Sequence, residues 1–250
     1  MTKWSGVIRG YPLMSLRLGV RRVQPVTSTT AGPWVEAWLS APRLRVYLTA
    51  AGGDRTAALA LYEWNAAVSA GFLHDLAHLE VGLRNAYDTA LTTSIPVGRE
   101  HWVFDADRYF PPTMRRARNG TRYDANRINR DQLDRAVAEA AAPGPATMRR
   151  AATPPPPGKV VAELMFGFWR YLSTKAHDQR LWIPLLHKAF VPGTARPDVD
   201  RPIGRLHQLR NRVAHHEPLL AQDLTARHDD ILAVAGLIAP ELRSYIRGRG

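Results

Sequence analysis

The sequence predicts an all-α fold, and three observations carry that expectation. First, between residues 55 and 93 the apolar residues Leu61, Trp64, Val68, Phe72, Leu76, Leu79, Leu83 and Tyr87 step by three or four, which is the stripe of one helix face. Second, no segment shows a persuasive strand alternation. Third, Gly and Pro punctuation cuts the rest of the chain into helix-sized pieces.

Taken in order, residues 1–33 hold scattered Gly, Pro, Ser and Thr and read as a loose basic tail. Residues 34–250 read as a single helical domain. Trp34–Leu39 and Arg43–Ala50 are expected as short helices divided by Pro42. Gly52-Gly53-Asp54 supplies a break and an N-cap for the long helix, in which Gly71 is a possible bend. Residues 94–122 look irregular, with Pro96, Pro111 and Pro112. Tyr123–Ala142 is expected as a polar, Arg-rich surface helix. Pro143–Gly158 reads as a loop, because Pro154–Pro157 favour an extended polyproline form. Lys159–Ser173 and Asp178–Ala189 follow as apolar helices, the second bent at Pro184. Pro202–His216 and Asp223–Arg247 close the chain, the last weakened near Gly236 and Pro240.

Composition limits the function classes. A 45% hydrophobic content and seven Trp in 250 residues exclude wholesale disorder. The absence of Cys removes disulfides, thiolate metal sites and a Cys nucleophile, and fits a reducing cytoplasm. No apolar run approaches the ~18 residues that span a bilayer, so no membrane association is expected. No signal-peptide block follows the basic start. The net charge of +12 is uneven. Residues 1–25 carry Lys3, Arg9, Arg17, Arg21 and Arg22 without an acid; residues 108–150 carry ten Arg against Asp124, Asp131, Asp134 and Glu139. Such regions attract polyanions, of which RNA and DNA are the obvious ones. An arginine-rich solvated surface is the plainer alternative.

The chemistry-bearing stretch is Leu206-His207-Gln208-Leu209-Arg210-Asn211-Arg212-Val213-Ala214-His215-His216-Glu217-Pro218. A histidine moves a proton at neutral pH, and an arginine binds phosphate and the charge that builds on it. One of each suffices to cleave an RNA backbone without a metal. On a helical wheel with Leu206 at zero, Leu209 and Val213 join it in a core stripe. Asn211 and His215 fall opposite, at about 140° and about 180°. Arg210 sits at one edge of the stripe, about 40°, and His216 at the other, about 280°. His215 is therefore the candidate base on an open face, with Asn211 placed to orient it. His216 is expected to pack or to hydrogen-bond. Arg210 and His215 diverge on one straight helix. Either the last turn distorts before Pro218, or, as we favour, a second copy of the helix completes the site across a two-fold axis. Taken alone the pattern is weak, since cations suit any helix C-terminus.

Two other clusters need weighing. Glu80 and Arg84 share a helix face with Asp88, and Asn85 lies beside them. They form either a surface ion pair or a group that positions Arg210 or grips RNA. His74-Asp75-Leu76-Ala77-His78 has the four-residue histidine spacing of zinc helices. However, Asp stands where a general-base Glu belongs, and no third ligand follows, so no metal and no cofactor is expected.

The segment Leu209–Pro218 resembles the signature of the Abi-like (abortive infection) proteins, part of the HEPN group of helical ribonucleases. Two more segments resemble the same family in its order: Ala60-Leu61-Tyr62-Glu63-Trp64-Asn65, continuing to His78–Ala86, and Phe166-Gly167-Phe168-Trp169-Arg170-Tyr171-Leu172. Together they cover roughly residues 40–235. The resemblance implies a multi-helical bundle that dimerises, with the motif in a cleft between protomers. It implies a metal-independent endoribonuclease of toxin or antiviral type, acting on RNA in the cytoplasm. Arg210, Asn211 and His215 match the motif's arginine, polar residue and histidine. Such a toxin needs restraint, by an antitoxin or other regulatory partner. The alternative class is a catalytically silent module that binds RNA or a partner protein in phage defence.

Overall fold

The computed structural model describes residues 32–142 and 154–248, and these are mostly helical. The expected tail 1–33 lies almost wholly outside the described residues, as does most of the Pro143–Gly158 loop. The helices are α1 (Trp34–Leu39), α2 (Ala41–Ala50), α3 (Arg55–Thr92), α4 (Ala106–Tyr109), α5 (Arg127–Ala141), α6 (Pro157–Glu163), α7 (Phe166–Leu172), α8 (Arg196–Ala214), α9 (Leu224–Ile238) and α10 (Pro240–Arg247). Two short strands, β1 (Met114–Arg116) and β2 (Arg122–Asp124), pair antiparallel. No helix among the described residues is long and apolar enough to cross a membrane.

The chain divides into two compact units, each discontinuous in sequence. The first takes the residues up to Leu79 with Gly204–Gly236 and Pro240–Gly250; the second takes Glu80–Ile203 with Leu237–Ala239.

In the first unit, Asp54 caps α3. Its Oδ1 accepts the N–H groups of Thr56 at 2.8 Å and Ala57 at 3.1 Å. The turn before it needs left-handed backbone at Gly52 and Gly53, with φ of 66° and 91°. The helix then runs 38 residues without a break at Gly71. All eight stripe residues from Leu61 to Tyr87 are buried. Burial of such side chains stabilises by about 1.5–3 kcal/mol each, which outweighs the helix cost of one glycine. Val35, Leu39, Leu44 and Tyr47 from α1 and α2 form a core with Ala58, Leu59 and Leu61. Pro42 lies in the first turn of α2, where a missing N–H costs nothing, so Ser40 and not Pro42 separates the first two helices.

In the second unit, an aromatic cluster forms the core. Trp102 stacks on Phe168 and meets Trp169 edge-on, with ring centroids 6.2 and 6.1 Å apart. The Trp102 indole N–H donates to Asp88 at 2.6 Å. The expected helix Lys159–Ser173 is broken by extended backbone at Leu164 and Met165. That break lets Leu164 offer its carbonyl to the Trp169 indole at 3.1 Å. The expected helix Asp178–Ala189 is a succession of tight 3-10 and wide π turns. The expected helix start at Tyr123 is displaced to Arg127, because residues 122–124 pair with 114–116 as a hairpin.

Helix α8 begins at Arg196, six residues ahead of the expected start at Pro202, and carries that proline inside it. Burial of Val199 and Ile203 on either side offsets the lost hydrogen bond. Arg196 also fixes this turn, donating to the Ser173 carbonyl at 2.8 Å and pairing with Asp178 and Asp200.

His177, buried against the edge of Phe110, titrates low. Burial first, and the charge of Arg115 second, push its imidazole down to about 4. The unfolded chain takes up this proton near the ordinary value of 6.5, and the folded chain only near 4. Stability is therefore lost as pH falls between those values, by about 3 kcal/mol at ~1.4 kcal/mol per pH unit. Urea unfolding at pH 7 and pH 4.5 should show His177→Leu losing less stability than the parent. Parallel losses in the two proteins would contradict this.

Candidate functional site

The motif occupies the last two turns of α8, in the first unit. Leu206, Leu209 and Val213 are buried. With that stripe held inward, Asn211 and His215 are carried outward and both are exposed, while Arg210 is half-buried. The N–H of His215 donates to the Asn211 carbonyl at 3.0 Å, so the histidine is still on the helical ladder. Arg210 makes no ion pair among the described residues. A guanidinium at this place keeps its donors available for an anion.

The helix ends by a defined device. The N–H of His216 bonds the Val213 carbonyl at 3.1 Å, and that of Glu217 bonds the Arg212 carbonyl at 2.8 Å. These two bonds, with His216 at φ 53°, make a Schellman cap in which His216 is the left-handed residue. The expectation that His216 packs against the core is therefore corrected. It is exposed, because the helix stops at Ala214 and the wheel no longer applies to it. The left-handed turn falls at His216, one residue past His215, so it does not bring Arg210 and His215 together. Across the cap Arg212 pairs with Glu217 at 3.1 Å. Both are well exposed, so the pair contributes a few tenths of a kcal/mol at most.

What holds this end in place is a residue the sequence reading quoted without giving it a role. Asn65, on α3 and buried, accepts the N–H of Leu219 at 2.7 Å. Leu219 is itself fully buried, and Leu220 packs on the cluster built from α1 and α2. The loop that leaves the motif is thus pinned by a polar and an apolar contact. Behind it, Arg205 on α8 grips Asp230 on α9 through Nε at 2.9 Å and a second close nitrogen. Arg227 meets the same carboxylate at 3.1 Å. A buried amide within an apolar stripe is the signal by which Asn65 could have been found.

Glu80, Arg84 and Asn85 lie further along α3 and belong to the second unit. Arg84 is half-buried, and its Nε is buried with no hydrogen-bond partner among the described residues. Asn85 is exposed. It lines an open pocket of about 510 Å³ with Gly82, Ala86, Thr89, Lys188 and others. His74 and His78 stack edge to face, 4.7 Å between ring centroids, and His78 meets Tyr245 in the same way. His74 Nδ1 lies 3.2 Å from Asp75 Oδ1. Among the described residues no group of three His, Asp or Glu is placed to hold a metal ion.

The cap gives a direct test. His216→Gly relieves the left-handed strain and should raise stability by about 1 kcal/mol; His216→Val should lower it. A thermal melt in which glycine destabilises would contradict the cap assignment. No family model, curated protein or solved structure matches this chain, which leaves the chemistry of the residues above to carry the functional assignment.

Proposed function

We propose that this protein is a metal-independent endoribonuclease of abortive-infection or toxin type, working as a two-fold dimer in the cytoplasm. The observation that carries the reading is the helix end itself. An arginine with no ion pair among the described residues and a solvent-facing histidine stand on consecutive turns, held from behind by a buried stripe and by the Asn65–Leu219 bond. The resemblance of Arg210-Asn211 and His215 to the HEPN motif supports the same assignment.

In this mechanism neutral His215 takes the proton from a ribose 2′-OH. The oxygen attacks the adjacent phosphorus and the P–O5′ bond breaks. The products are a 2′,3′-cyclic phosphate and a 5′-hydroxyl. Arg210 binds the phosphate and stabilises the charge gained in the transition state. Asn211 orients His215 or the phosphate. Water protonates the leaving oxygen, so each site needs one arginine and one histidine. Glu80, Arg84 and Asn85, in the second unit, serve as supporting residues that grip RNA.

Total RNA incubated in EDTA with the parent should gain cyclic-phosphate ends, and His215→Ala should lose about 10²–10⁴-fold of that rate. The His216→Gly protein, changed only at the cap, should cut normally. Cleavage that survives His215→Ala, or that needs a divalent metal, sinks the reading. RNA binding by both proteins without cleavage would instead favour the silent binding module. The dimer has its own test. If Arg210 and His215 act together from opposite protomers, mixing inactive Arg210→Ala and His215→Ala chains restores about a quarter of parental activity, because half the dimers are mixed and each holds one intact site. No recovery after subunit exchange would place each site within one protomer.

A further inference from the structure

The hairpin β1–β2 in the second unit concentrates exposed positive charge more densely than any other described segment. Arg115, Arg116, Arg118 and Arg122 are all exposed within eight residues. None of them makes an ion pair among the described residues. Elsewhere in this unit Arg130, Arg170 and Arg196 are each matched to aspartates. The register sets Arg116 directly opposite Arg122. Like charges at cross-strand positions repel, so the pairing favours an anion that bridges them. Arg118 stands on the turn. The same hairpin exposes two large apolar side chains, Tyr123 at 46% and Met114 at 55%.

The scaffold under this surface is firmly tied. Asp124 accepts the N–H groups of Thr113 at 2.8 Å and Asn126 at 3.0 Å and pairs with Arg130. Asn126 donates to the Pro111 carbonyl at 2.8 Å, and Arg130 to that of Phe110 at 2.8 Å. The turn is a three-residue loop closed by Gly120 at φ 85°. Gly120 donates to the Ala117 carbonyl at 2.9 Å, and Ala117 donates to that of Thr121 at 2.8 Å. A hairpin with almost no core of its own is thus held rigid from its base and carries guanidinium groups at its outer end.

We infer that the hairpin 113–125 is a single-stranded RNA-binding element, separate from the Arg210–His215 motif. Arg116 and Arg122, on one face of the ribbon, and Arg118 on the turn contact phosphates. The RNA strand then passes round the exposed edge to the other face, where Tyr123, paired with Arg115, stacks on an unpaired base. Single strands fit this surface because a base must be free to stack on the tyrosine, whereas the major groove of duplex RNA is too narrow for a ribbon. The choice of RNA over DNA rests on the nuclease reading above; the binding surface does not.

The test uses the full chain with His215→Ala in EDTA, so that nothing is cut, and a fluorescein-labelled 12-nucleotide single-stranded RNA read by anisotropy across a salt series. Changing Arg116, Arg118 and Arg122 together to Gln should weaken binding more than tenfold and lower the slope of log K against log salt by about 2, at ~0.7 per lost phosphate contact. The corresponding Lys triple should keep the slope. Tyr123→Ala should weaken binding about 5–100-fold and leave the slope unchanged. If the Gln triple fails to fold, Thr121→Arg reads the same surface by raising the slope by about 0.7. Unchanged affinity and slope in the Gln triple overturn the proposal. So does equal or tighter binding of duplex DNA, of a poly-glutamate peptide or of vesicles containing phosphatidylglycerol. RNA held through the hairpin but never cut by the parent chain would support the element and defeat the nuclease reading. Cutting by the parent with hairpin-independent binding would do the reverse.

Discussion

The structure rests on the apolar stripe of α3. Leu61 to Leu79 serve the core of the first unit, and Leu83 and Tyr87 that of the second, all from one unbroken helix. A stripe of that length leaves little freedom in rotation: turning the helix by one residue would bring polar side chains such as Glu63 and Glu80 towards the positions now held by leucines and aromatics. The constraint also explains the one polar intrusion. Asn65 is buried beside Leu61, Trp64 and Val68, and a buried amide left unsatisfied costs about 1–3 kcal/mol. The Leu219 N–H removes that cost and fixes the segment that follows the motif. Packing thus positions the chemistry through one hydrogen bond.

The distribution of charge follows a second rule. Three aspartates tie down arginines that build the scaffold: Asp124 holds Arg130, Asp200 holds Arg170 and Arg196, and Asp230 holds Arg205 and Arg227. These carboxylates are half-buried or better, and Arg130, with the N–H groups of Thr113 and Asn126, holds Asp124 down at about 2. Among the described residues the four hairpin arginines and Arg210 near the end of α8 have no such partner. The net charge of +12 therefore understates how positive those two places are. An excess of base over acid attracts polyanions in general, and the pairing pattern shows where the unpaired charge is concentrated among the described residues.

The stripe of α3, the Asp54 cap, the weak point before Pro240 and the outward face of Asn211 and His215 were legible in the sequence, because each depends on a local period or a local cap; Gly236 does not interrupt α9. Three features were not. Pro202 was read as a helix start, since proline in a helix interior is costly and only tertiary burial of Val199 and Ile203 overrides it. The hairpin was missed because its Asn119-Gly120 turn is flanked by arginines, where the strand signal depends on alternating apolar residues. His216 was assigned a packing role by extending a regular wheel past the point where the backbone turns left-handed. In each case a contact distant in sequence, or a change of backbone state, displaced the local rule.

The geometry of the helix end also sets a condition on the proposed chemistry. Two charges ~4 Å apart interact by about 1 kcal/mol in bulk water and about 4 kcal/mol near a protein surface from which water is partly excluded. Asn211 and His215 are exposed, and nothing within their own helix screens them from solvent. An arginine acting on a phosphate in such a place stabilises developing charge only weakly. Strong catalysis therefore requires a surface that closes over α8 at the moment of reaction. In the proposed reaction part of the cover would be RNA itself, lying along the helix end. The rest must be a wall of protein, and a second copy of α8 brings both a lid and a second set of the same donors. A dimer that assembled only on RNA would also keep the isolated chain inert, which supplies from simple physics the restraint that such an enzyme needs in a healthy cell.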